Sequence, residues 1–122
     1  MIPERLDKIQ RLAEKDGRFR REAYVFVLNA LTYTQNLHAQ KGRPGHITGQ
    51  ELCEGIRAYA ESEFGFLAKT VFGQWGVTRT EDFGAIVFSL VGAEELAKTE
   101  DDSIRDFENV YAFDDVFEKS IL

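Results

Sequence analysis

The sequence has a single cysteine, two prolines and no long apolar run. A lone cysteine excludes an internal disulfide framework. Prolines only at positions 3 and 44 leave long stretches free to be helical. No stretch approaches the roughly 20 apolar residues needed to cross a bilayer. The opening segment MIPERLDKIQRLAEKDGR has no apolar signal core and sets acids among its bases. A soluble cytoplasmic chain with no membrane partner is expected.

Core material, in contrast, is plentiful. Hydrophobic residues make up 43% of the 122 and charged residues 30%, which is too apolar for a disordered chain. Ten phenylalanines, four tyrosines and one tryptophan can each remove roughly 150–250 Å² from water. So many aromatics can exceed what one small core hides, leaving an apolar patch outside. The length suits one domain, 1–122, with helix 1–16 at its periphery.

Charge is divided unevenly along the chain. Residues 1–46 carry a net +4 and residues 47–122 a net −10. The overall −6 opposes non-specific nucleic-acid binding, which depends on neutralising phosphates. The asymmetry fits basic and acidic faces that pack together or are solvated. It also fits a polar association surface, head-to-tail between copies or with a charged partner.

Apolar spacing predicts helices over 3–16, 19–38, 49–64, 66–75 and 81–91. Gly17, Gly65, Gly76 and Gly92 serve as stops. HAQKGRPGH, residues 38–46, is a loop. Beyond Gly92 the pattern weakens. A two-stranded hairpin around Leu96–Thr99 and Val110–Phe113 competes there with loop and short helices, and Val116, Phe117 and Ile121 suggest a last helical turn. The expected fold is mainly α: a compact single-domain bundle of about five helices with an irregular C-terminal segment. The alternative is a winged-helix-like α+β fold with a short hairpin around 96–113.

The stretch GRPGHITGQELCEGIRAYAESEFG looks most like a site, since it gathers His46, Thr48, Glu51 and Cys53. Thr48-Gly49-Gln50-Glu51 matches a capping box, in which a hydroxyl and a carboxylate satisfy backbone N–H groups that a helix start leaves without acceptors. Ile47 before the cap can staple against Leu52. The stretch therefore reads as a helix start. Cys53 could be a nucleophile only with a base beside it, and it falls on the apolar stripe of Ile56, Ala60 and Phe64, where a thiol is a small hydrophobe. His38, His46 and Cys53 match no compact metal-ligand pattern, so neither a metal nor a cofactor is expected. Asp82-Phe83-Gly84 spells a kinase motif without any of its companions, and Asp82 reads instead as an acid favouring a helix dipole. Glu100, Asp101 and Asp102 read as a solvated turn. Arg18, Arg20 and Arg21, joined by Lys41 and Arg43 if the helices double back, form a candidate interaction patch.

The ordered segments FRREAYVFVLNALTYT, HITGQELCEGIRAYAESEFG, WGVTRTEDFGAIVFSLV and KTEDDSIRDFENVYAF resemble a small bacterial family described as the Verruc/Plancto-restricted protein family. The similarity spans residues 18–117. It implies no activity, cofactor or catalytic residue.

The order of the last three helices and a possible hairpin is also that of a winged-helix domain. Its reading helix would be TEDFGAIVFSLV, with acids where phosphates and bases would need cations. The foremost functional expectation is thus a non-enzymatic helical interaction or adaptor module, self-associating or binding a protein partner. A nucleic-acid-binding regulator using the basic first half comes next. A small enzyme or ligand-binding domain around Cys53 and His46 comes third.

Overall fold

The computed structural model describes residues 3–117, and the expected mainly helical, compact architecture is what it shows. The elements are α1 (Pro3–Asp16), α2 (Arg21–Gln40), α3 (Gly49–Phe64), a 3-10 turn (Gly65–Leu67), α4 (Ala68–Gln74), α5 (Thr80–Gly92), a second 3-10 turn (Ile104–Phe107) and the one-turn α6 (Phe113–Val116). Ile121 lies outside the described residues.

The 20-residue α2 is the axis of the bundle, packing against α1, α3 and α5. Its apolar residues nearly encircle it, which is what three neighbours require. Phe26 packs one cluster of rings, with centroids 5.1 Å from Tyr59, 5.5 Å from Phe64 and 5.6 Å from Trp75. Phe72 of α4 lies 5.4 Å from Phe26 and continues the stack to Phe83, Phe113 and Phe117. Edge and offset ring geometry of this kind adds to simple area burial.

Two helices approach closely where side chains are small. A Cβ built on Gly55 of α3 would lie 1.8 Å from the Thr34 hydroxyl oxygen of α2. That hydroxyl is buried and donates to the Ala30 carbonyl one turn back, at 2.7 Å. Gly76, at φ +87°, both takes a left-handed turn and touches the Arg18 carbonyl, 2.7 Å from where a Cβ would stand.

The helix placed at the periphery by sequence takes part in the core. Ile9 and Ala13 of α1 are buried. At its C-terminal end the Asp16 carboxylate accepts from the Tyr24 phenol of α2 and the Ser89 hydroxyl of α5. Burial first, and then Asp16, push the Tyr24 phenol above its ordinary pKa.

The hairpin around 96–113, and with it the winged-helix-like alternative, is not formed. Among the described residues there is no strand. Side-chain hydrogen bonds hold this segment in place of a strand ladder. The Thr99 N–H donates to Asp102, at 2.8 Å, closing a turn. Ser103 and Asp106 form a capping box on the second 3-10 turn. The Thr80 hydroxyl donates to the Phe107 carbonyl at 2.7 Å and accepts from the Val110 N–H at 3.2 Å. The Asn109 N–H donates to Glu81, and the Tyr111 phenol to the Cys53 carbonyl at 2.6 Å. Residues 93–117 are thereby a strap bound across α3 and α5. Phe107 is its wedge: a Cβ on either Gly49 or Gly84 would stand 2.9 Å from it.

Candidate functional site

The capping box at the start of α3 is formed. The Glu51 N–H donates to the Thr48 hydroxyl at 3.1 Å, and the Thr48 N–H donates to a Glu51 carboxylate oxygen at 2.9 Å. Ile47 is buried just before it. The other Glu51 oxygen accepts from Arg43 at 2.7 Å, with His38 Nδ1 at 3.9 Å. The Thr48 N–H foremost, against the opposing effect of burial and with help from Arg43 and His38, holds the Glu51 carboxyl below its ordinary pKa.

Cys53 and His46 do not form a catalytic pair. Cys53 is wholly buried, and burial, with smaller contributions from Glu54 and Glu81, pushes its thiol up to about 12. A thiol so held is protonated at neutral pH and is no nucleophile. His46 turns to Asp102 instead, its Nε2 lying 2.8 Å from a carboxylate oxygen. Burial works against the charge on Asp102. The Thr99 N–H and His46 outweigh it, and the carboxyl sits below its ordinary value. This pairing joins residues 56 apart, and Asp102 is half-buried rather than the solvated acid its sequence context suggests. Among the described residues no cluster of three or more His, Cys, Asp or Glu could hold a metal ion.

The five basic residues divide into two groups. Arg18, Arg20 and Arg21 stand at the N-terminal end of α2, and Lys41 and Arg43 follow its C-terminal end. A helix of that length holds the groups about 30 Å apart. Three of the five are also paired with carboxylates, Arg20 with the nearby Glu22 at 3.6 Å. Arg18 donates to Asp82 at 3.0 Å while lying over the Phe19 ring, and Arg43 donates to Glu51. Asp82, 4% exposed, also accepts from the Thr78 N–H at 2.9 Å. The acid read as a dipole partner therefore ties α5 to the α1–α2 junction. Arg5–Glu95 and Lys69–Asp114 are further pairs between distant segments. Three bases of residues 1–46, Arg5, Arg18 and Arg43, thus pair with acids of residues 47–122 inside one molecule.

The surplus of aromatics resolves in the same way. Eight of the fifteen are buried and six half-buried, leaving Phe66 as the one on the surface. It is 49% exposed, and its neighbour Leu67 is 47% exposed. Both sit on the 3-10 turn after α3, where Gly65, at φ +55°, ends α3 as expected and the α-helix expected over 66–75 starts only at Ala68. Behind the turn Phe64 and Trp75 pack edge to face, with centroids 5.8 Å apart. Glu61 and Glu63 on the last turn of α3 are exposed.

A second feature lies at the opposite end of α3. A pocket of about 110 Å³ opens between α2, the start of α3, α5 and the strap. Its walls include Leu31, Leu52, Val87, Phe88, Val91 and Leu96, and the His46–Asp102 pair stands at its rim. No helix among the described residues is long and apolar enough to cross a membrane. Comparison of the chain with family models, with curated proteins and with solved structures finds no match.

Proposed function

We propose that the chain is a non-enzymatic helical interaction module that docks a protein partner on the Phe66–Leu67 turn. One observation carries this reading: two adjacent large apolar side chains are held about half-exposed on a turn backed by packed rings. An aromatic anchor with an aliphatic neighbour on a supported backbone is the usual make-up of an interface hot spot. Glu61 and Glu63 beside it favour a partner segment that joins apolar anchors to basic residues. A second copy of the chain is the self-associating form of the same reading.

The test compares the protein with the double variant Phe66→Ser, Leu67→Ser. Both should melt alike, since neither side chain is in the core. Sedimentation velocity over a range of concentrations reads self-association, and capture from the native host reads a heterologous partner. A partner or oligomer lost in the variant and kept in the parent supports the reading. Association that survives the double substitution, or a parent that neither self-associates nor retains any protein, overturns it.

A further inference from the structure

We propose that the pocket beside the His46–Asp102 pair is a binding site for a small uncharged alcohol or phenol. Size sets the first limit. At about 110 Å³ the pocket is somewhat smaller than the engineered cavity of about 150 Å³ that stays dry and admits benzene. A single ring or a short branched hydrocarbon fills it. The wall residues Leu31, Leu52, Val87, Phe88, Val91 and Leu96 offer such a body only dispersion contacts and release from water.

The rim sets the head group. It carries His46, Lys98, Asp102 and Asp106. Two bases against two acids leave no net charge when His46 is protonated and one negative charge when it is not. A carboxylate would therefore meet no net attraction, and an ammonium, facing at most one net negative charge, would give up its hydration for the one carboxylate oxygen of Asp106 left over from Ser103. One acceptor stands ready for a neutral donor. Asp106 uses one carboxylate oxygen to accept from the Ser103 N–H at 3.1 Å, and the second can take a hydroxyl proton. Asp102 is committed to His46 and the Thr99 N–H, and it holds the strap against the loop before α3. The ligand thus lies with its body among the side chains of α2, α3 and α5 and its hydroxyl toward Asp106.

Three probes share one ring and differ in head group: benzyl alcohol, benzoate and benzylamine. Each is titrated into the full chain while methyl resonances of Val87, Val91 and Leu96 are followed by NMR. Benzyl alcohol should give saturable shifts at these methyls. The two charged probes should bind at least tenfold more weakly. The variant Val91→Phe, which fills the pocket from its half-exposed side, should abolish the response to benzyl alcohol with its own fold intact by circular dichroism. Should Val91→Phe not fold, Asp106→Asn is the second variant, expected to weaken benzyl alcohol without affecting toluene. Absence of saturable shifts with benzyl alcohol, tighter binding of either charged probe, or shifts that persist in folded Val91→Phe would overturn the proposal.

Discussion

The contact between Gly55 and Thr34 gives the sharpest energetic test of the packing. In Gly55→Ala the new methyl would meet the Thr34 hydroxyl oxygen at 1.8 Å, its Cβ at 2.8 Å and its methyl at 2.9 Å. Turning the threonine about χ1 gives no relief, because its Cβ is itself too close. The helices must part, and overpacking of this kind costs about 3 kcal/mol. Alanine recovers about 1 kcal/mol of helix propensity over glycine, so the net loss should be about 2 kcal/mol. For a chain of this length that lowers Tm by roughly 6–10 °C. Thr34→Ala alone removes a methyl and a hydroxyl bonded within its own helix, and should cost under about 1 kcal/mol. Combined with Gly55→Ala it removes two of the three clashing atoms. The Cβ contact at 2.8 Å remains, so the double variant should still fall below Thr34→Ala, by about 1 kcal/mol instead of about 2, a coupling of about 1 kcal/mol. Urea melts of the four proteins measure it. Additive losses would show that α2 and α3 do not meet as described.

Other expectations follow from the ion pairs, the cap and the thiol. Thr48→Ala should cost about 1 kcal/mol, Glu51→Ala less, and the pair should be far from additive in denaturant melts. Glu51 and Asp102 have carboxyls held below their ordinary values, so their stabilisation is present above the unfolded pKa and is lost as pH falls through the folded one. Melts from about pH 5 downward should show that loss, and Glu51→Gln should flatten part of it. Cys53 should resist iodoacetamide from pH 7 to 9 in the native state and react fully in urea; rapid native alkylation would contradict its burial. Arg18→Ala should cost about 1–2 kcal/mol, because it strips a buried carboxylate of its cation while Thr78 still donates to it. His46→Ala should alter stability little, since half-exposed pairs contribute about 0–1 kcal/mol.

The helices were legible because their signals are local. The stripe of Ile9 and Ala13, the dense run from Tyr24 to Leu31 and the spacing of Phe83, Ile86 and Leu90 each declare a buried face within a few turns. The capping box at Thr48 is local as well, and so is the placing of Cys53 among apolar neighbours. What sequence could not disclose joins distant residues. Thr80 opens α5, and its hydroxyl serves the backbone at Phe107 and Val110, about thirty residues on. His46 and Asp102, or Arg18 and Asp82, announce nothing separately. The two basic groups were expected to meet only if helices doubled back, and the unbroken α2 keeps them apart. The hairpin was a fair reading of β-branched and aromatic residues near Val110. It does not form because Asp102, Glu81 and Thr80 side chains take the N–H groups of Thr99, Asn109 and Val110. Phe66 on its turn had no signal beyond the overall excess of aromatics.

The strap from 93 to 117 has little regular structure, yet it carries Phe107, Phe113 and Phe117, each no more than 5% exposed. Lifting it away would expose three rings at about 1.5–3 kcal/mol each, which approaches the entire stability of an ordinary domain. Partial opening of this segment is therefore nearly as costly as unfolding the whole molecule. The Val110 amide, bonded to the buried Thr80 hydroxyl, should exchange with solvent deuterium on the timescale of global unfolding, alongside the centre of α2. Irregular in outline, the strap is thermodynamically one unit with the helices it crosses.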